Sequence, residues 1–140
     1  MPLASESAPT AHVILDPMTA AIQQARSTIS QFFRAHRVPR STQTDFRLQA
    51  IFHDGDQSEQ IWLSHLDFNT RPATGVVTAR PNTIKSVAYR KRVPFRPEQM
   101  TDWMYLDGGR LVGGFTTRVQ MNQESEPVGF LDRLKRRLVA

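Results

Sequence analysis

The chain is expected to fold as an α+β domain: an N-terminal helix packed on a strongly curved antiparallel sheet of about five or six strands, with a basic C-terminal helix. Three observations lead there. Apolar residues recur at three- and four-residue steps near both ends of the sequence, which is the spacing of an amphipathic helix. Between them the period drops to two, with reversals at Asp54-Gly55-Asp56 and Asp107-Gly108-Gly109, where glycine reaches the positive φ of a tight hairpin turn. Finally, 140 residues is the length of one domain, which removes roughly 70% of its unfolded surface from water on folding, so a single core is expected without cross-links.

Residues 1–12 are rich in Ala, Ser and Pro and are expected as a flexible arm, 13–120 as a single α+β domain, and 121–140 as a polar linker and a basic amphipathic helix. Asp16-Pro17 reads as an N-cap followed by proline at the first helical position. The helix is predicted to run to about His36, with Met18, Ile22, Ala25, Ile29 and Phe32 or Phe33 facing the core, before Val38-Pro39 stops it. From Thr44 a half-buried strand follows, with Phe46, Leu48, Ala50 and Phe52 on one face and Arg47, Gln49 and His53 on the other. It turns at Asp54-Gly55-Asp56 into a return strand over 60–68. A short strand is predicted over 75–79 and a bent strand, or two short ones, over 83–95. Arg96-Pro97 opens a single helical turn. The hairpin of 101–119 comes next, its second arm reaching Val119, with a polar linker over 120–126. In the final helix Phe130, Leu131, Leu134 and Leu138 oppose Arg133, Lys135, Arg136 and Arg137.

No apolar run approaches the length of a membrane span. The first dozen residues lack a positive n-region and an apolar h-region, so a cytoplasmic address is the default, with export by a non-standard signal left open. Having no cysteine, the chain can form neither a disulfide nor a thiolate nucleophile. A net charge of +5 makes acidic partners more favourable than basic ones.

Catalytic signatures are missing from the sequence. It contains no nucleophile elbow, phosphate-binding loop or dinucleotide fingerprint. His12, His36, His53 and His65 show no ligand spacing, so neither metal nor cofactor is expected. Glu98, Asp102 and Asp107 could supply an acid–base pair, but Asp102 reads better as a cap or turn acceptor with Trp103 beside it as core. Asp102, Trp103, Gly108 and Gly109 are therefore taken as anchors of the fold. Two basic clusters remain as candidate partner-binding residues: Arg90, Lys91 and Arg92, with Lys85 and Arg96 nearby, and Arg133, Lys135, Arg136 and Arg137.

The run Asp102-Trp103-Met104-Tyr105, followed by Asp107-Gly108-Gly109-Arg110-Leu111-Val112-Gly113-Gly114-Phe115, resembles the C-terminal signature of the bacterial domain-of-unknown-function family 2314. The helix around Ala25-Arg26, the strand around Glu59-Gln60-Ile61-Trp62-Leu63, Gly75-Val76-Val77 and Pro81-Asn82 extend the resemblance over roughly residues 20 to 120. It departs from that family's pattern at Tyr89-Arg90-Lys91-Arg92-Val93-Pro94, which has no glycine and carries more positive charge. That family carries no assigned activity, so the resemblance implies a small α+β fold and almost nothing about chemistry.

The function expected from these observations is that of a small non-catalytic protein-interaction domain with an acidic protein partner, such as an immunity or accessory protein of a bacterial toxin or secretion system. Nucleic-acid binding through the basic clusters is the first alternative and an enzyme of unrecognised type the second.

Overall fold

The computed structural model describes residues 16–123; the expected arm and the basic C-terminal helix lie outside them. Helix α1, Pro17–Ser27, starts where the Asp16 carboxylate accepts the Thr19 N–H at 2.9 Å and the Thr19 hydroxyl at 2.7 Å. The single helix expected through His36 is divided, and α2 is Ile29–Arg37. At the break Thr28 has φ −113° and ψ 8°. The Ser27 and Thr28 hydroxyls donate back to the Gln24 carbonyl at 3.0 and 2.7 Å, which competes with the helical ladder. Trp103 Nε1 donates to the Ala25 carbonyl at 3.1 Å and lies 3.2 Å from Thr28 Oγ1, so a residue far along the chain holds the break.

Six antiparallel strands form one sheet: β1 Gln43–Asp54, β2 Gln57–Asp67, β3 Ala73–Val77, β4 Arg92–Phe95, β5 Met100–Asp107 and β6 Arg110–Gly113, in the order β4-β3-β2-β1-β5-β6. That order corrects the expectation of a strongly curved sheet. The sheet is open: β4 and β6 stand at opposite edges, and the β5–β6 hairpin widens one side instead of joining the two. The reason is the long central β1, which pairs with β2 on one flank and β5 on the other and so keeps the first and last hairpins apart.

Alternation sorts the two faces of the sheet. Leu48 lies opposite both Leu63 and Trp103, and these three meet Ala25 and Phe32 in the core beneath α1 and α2. Phe32 is fully buried, its ring 5.7 Å from that of Trp103 and 5.8 Å from that of Phe46; burial of such a side chain contributes about 2 kcal/mol. On the opposite face Gln49 sits between Trp62 and Asp102, and Arg47 pairs with Met104.

Two local expectations also change. Residues 78–91 hold no strand, and only 92–95 of the segment expected as strand pair with β3. The second arm of the hairpin ends at Gly113, and helix α3, Phe115–Gln123, replaces both the rest of that arm and the start of the expected linker. Gly113 and Gly114 adopt φ 79° and 65°, which breaks the strand.

Candidate functional site

A cleft of about 250 Å³ opens on the sheet face turned away from α1 and α2. Its floor is made of outward residues of the three central strands: Arg47 and Gln49 of β1, Gln60 and Trp62 of β2 and Met104 of β5. One wall is the segment 78–82 and the other is Thr117 and Gln120 of α3.

Both walls are held by buried or half-buried carboxylates. Glu59 accepts the N–H groups of Asn82, Thr83 and Ile84 at 2.7, 2.7 and 3.2 Å. Partial burial raises its carboxyl, and the three amide donors together outweigh that, leaving it below the ordinary range. Asp54 does the same for the next residues, accepting from Lys85 N and from Ser86 N at 3.1 Å. These bonds take up the backbone of the segment, which explains why it forms no strand, while Ile84 and Val87 pack into the core.

On the other side Asp102, fully buried, accepts Thr116 N at 2.8 Å, Thr116 Oγ1 at 2.6 Å, Phe115 N at 3.2 Å and Trp103 N at 2.7 Å. It thereby caps the start of α3 from a neighbouring strand, where the helix dipole favours negative charge. Burial pushes its carboxyl up, against the lowering effect of the Thr116, Trp103 and Phe115 donors. Gln49 Oε1 accepts the Thr101 hydroxyl at 2.8 Å and lies 3.3 Å from that of Thr116.

Arg47 is only 9% exposed, so its charge belongs to the floor of the cleft and not to open solvent. Burial pulls its guanidinium below its ordinary value, with Asp45 opposing through its charge. At the mouth, Arg80 lies 5.7 Å from the centre of the Tyr89 ring and Arg90 lies 5.0 Å from it. This shared ring joins the cleft wall to the basic run, and Lys91 follows, exposed. Arg92 departs along the sheet edge, donating to Thr74 Oγ1 at 2.9 Å. The result is a positive ridge of Arg80, Arg90 and Lys91 built on Tyr89. Among the described residues no carboxylate pairs with these three side chains.

Of the residues singled out from the sequence, Arg90, Lys91 and Arg92 are contiguous in space, with Arg92 turned away from the other two. Gly108 and Gly109 form the β5–β6 turn at φ 58° and 81°, and Trp103, on the β5 arm of that hairpin, is buried against α1. Arg133, Lys135, Arg136 and Arg137 fall outside the described residues. Arg47 and Arg80 carried no sequence signal, since the first was an outward position of a strand and the second stood alone beside Pro81. Among the described residues no three His, Asp or Glu side chains gather as a metal site, and no described helix is long and apolar enough to cross a membrane.

The chain is 26% identical over 99 residues to the uncharacterized protein YegJ of Escherichia coli K12, a match covering 71% of this chain and 63% of that one. It is 26% identical over 119 residues to a putative ankyrin repeat protein of Neisseria meningitidis serogroup B, covering 79% of this chain and 47% of that one. The chain thus spans less than two thirds of the length of each of these relatives. No solved structure matches it. The family described as "Uncharacterized protein conserved in bacteria (DUF2314)" matches residues 16–127, which takes in α1, α2 and α3, all six strands and the ridge, and the chain belongs to that family.

Proposed function

We propose that this is a non-catalytic protein-interaction domain that engages an acidic protein surface through Arg80, Arg90 and Lys91. Further positive charge comes from Arg92 and from Arg133, Lys135, Arg136 and Arg137. The observation that carries the reading is the pair of guanidinium groups against one tyrosine ring, with no carboxylate partner among the described residues. Stacking limits the freedom of both side chains before a partner arrives, which lowers the entropy lost on binding. The chain's net charge of +5 steers the same class of partner. An immunity or accessory protein of a toxin or secretion system is one biological setting for such a surface.

Nucleic acid is less well served by this geometry. Tyr89 is half-buried and already flanked by two guanidinium groups, which makes it a poor stacking platform for a base.

Capture from the native host with the wild-type chain and with the triple variant R80E/R90E/K91E tests the reading. The wild type is expected to retain one acidic protein, resistant to nuclease, and the variant to lose it. With the purified partner, affinity should drop by about tenfold or more. Retention of nucleic acid with a steep salt dependence, or equal capture by the variant, would overturn the proposal.

A further inference from the structure

On the helix side of the sheet a second concavity, an open trough of about 970 Å³, lies between α2 and the β3–β4 end of the sheet. Its lining is apolar and aromatic, chiefly Ile29 and Phe33 of α2, Phe68 after β2 and Phe95 of β4. The Phe33 and Phe68 rings meet edge-on at 5.1 Å, and Phe68 meets Phe95 edge-on at 6.2 Å. Phe33 remains 40% exposed, one of two large hydrophobic residues so exposed among the described residues, although its neighbour Phe32 is fully buried. An aromatic side chain left in water at the edge of an apolar trough marks a contact surface.

The charge around the trough has one sign. Arg26, Arg71 and Arg96 line it against a single acid, Glu98. Arg26 is committed to the fold, donating to the Met100 carbonyl at 2.9 Å and the Glu98 carbonyl at 3.0 Å, and it fixes the wall. Arg71 and Arg96 are exposed and pair with no carboxylate among the described residues. An apolar floor with two unpaired guanidinium groups is complementary to apolar side chains flanked by carboxylates.

We infer that this trough is a docking site for an amphipathic protein segment whose apolar side chains seat against Phe33, Phe68 and Phe95 and whose Asp or Glu residues meet Arg71 and Arg96. The site is distinct from the Arg80, Arg90 and Lys91 ridge, which adjoins the cleft on the other face of the sheet, and it stands whether or not that ridge binds a protein.

The test uses the full chain and three defined probes: an amphipathic peptide of roughly 15 residues with Leu and Phe on one face and Glu on the other, its Lys counterpart, and vesicles containing phosphatidylglycerol. The Glu peptide should bind, shifting amide resonances of α2 and β4. Its affinity should fall about tenfold or more in F33D and in R71E/R96E, whose folding is verified by thermal melting, and should be unchanged in R80E/R90E/K91E. Equal binding of the Lys peptide, binding to vesicles but to neither peptide, no binding at all, or loss only in the ridge variant would each overturn the inference.

Discussion

Asp102 combines full burial with four accepted hydrogen bonds that tie β5 to the first turn of α3. Asp102→Asn would set an amide NH₂ against N–H donors and is expected to cost about 3 kcal/mol in urea unfolding. Because burial raises this carboxyl above 3.8, its contribution is fully present below the unfolded value and is lost as pH rises through the folded one. The stability gap between wild type and Asp102→Asn should therefore narrow with rising pH over that interval. A gap that widens would mean that the hydrogen bonds prevail over burial. Glu59, whose carboxyl is lowered, acts in the opposite sense: its contribution is present above the unfolded value and lost as pH falls through the folded one. Gly113 is equally constrained. At φ 79° a Cβ would press on the Trp103 carbonyl oxygen and lie 2.6 Å from the Trp103 ring. Gly113→Ala should destabilise by at least about 3 kcal/mol, measured as a fall in the denaturant midpoint.

Elements whose signals are local were readable from the sequence. The start of α1 needs only Asp16 and Pro17, and the β5–β6 turn needs only Gly108 and Gly109 at positive φ. Helix α3 was not readable, because Phe-Thr-Thr-Arg-Val is rich in β-branched residues and its cap, Asp102, precedes Phe115 by 13 positions. The segment 78–91 was obscured in the same way, its backbone being held by Glu59 and Asp54 from the β1–β2 hairpin. Arg90 in this segment takes φ 71°, a conformation that glycine adopts without strain, so its turn forms where the family pattern differs from this chain. Glu59→Ala should accelerate hydrogen exchange at Asn82, Thr83 and Ile84 about tenfold or more while leaving Leu48 and Leu63 protected.

At the scale of the whole molecule, the two proposed surfaces lie on opposite faces of one open sheet. The ridge side chains are exposed, and the hydrogen bonds that Arg90 and Lys91 make to Val77 and Ala88 are backbone ones that substitution leaves in place, so R80E/R90E/K91E is expected to melt within about 0.5 kcal/mol of wild type, which separates a binding defect from misfolding. The basic run at Arg90, Lys91 and Arg92 was legible as a run. Its division was not, since Arg80 joins it through Tyr89 and Arg92 leaves it for Thr74. By itself the sequence determined the α+β class, the helix start, the period-two strands, the hairpin turn and the family resemblance, because sterics, capping and turn chemistry act within a few residues. Only the tertiary structure decided the break at Thr28, the open strand order, the capped α3, the cleft over Arg47 and the aromatic trough. Each of these depends on a contact or pairing between residues distant in sequence, and such contacts form only once the strands are in register.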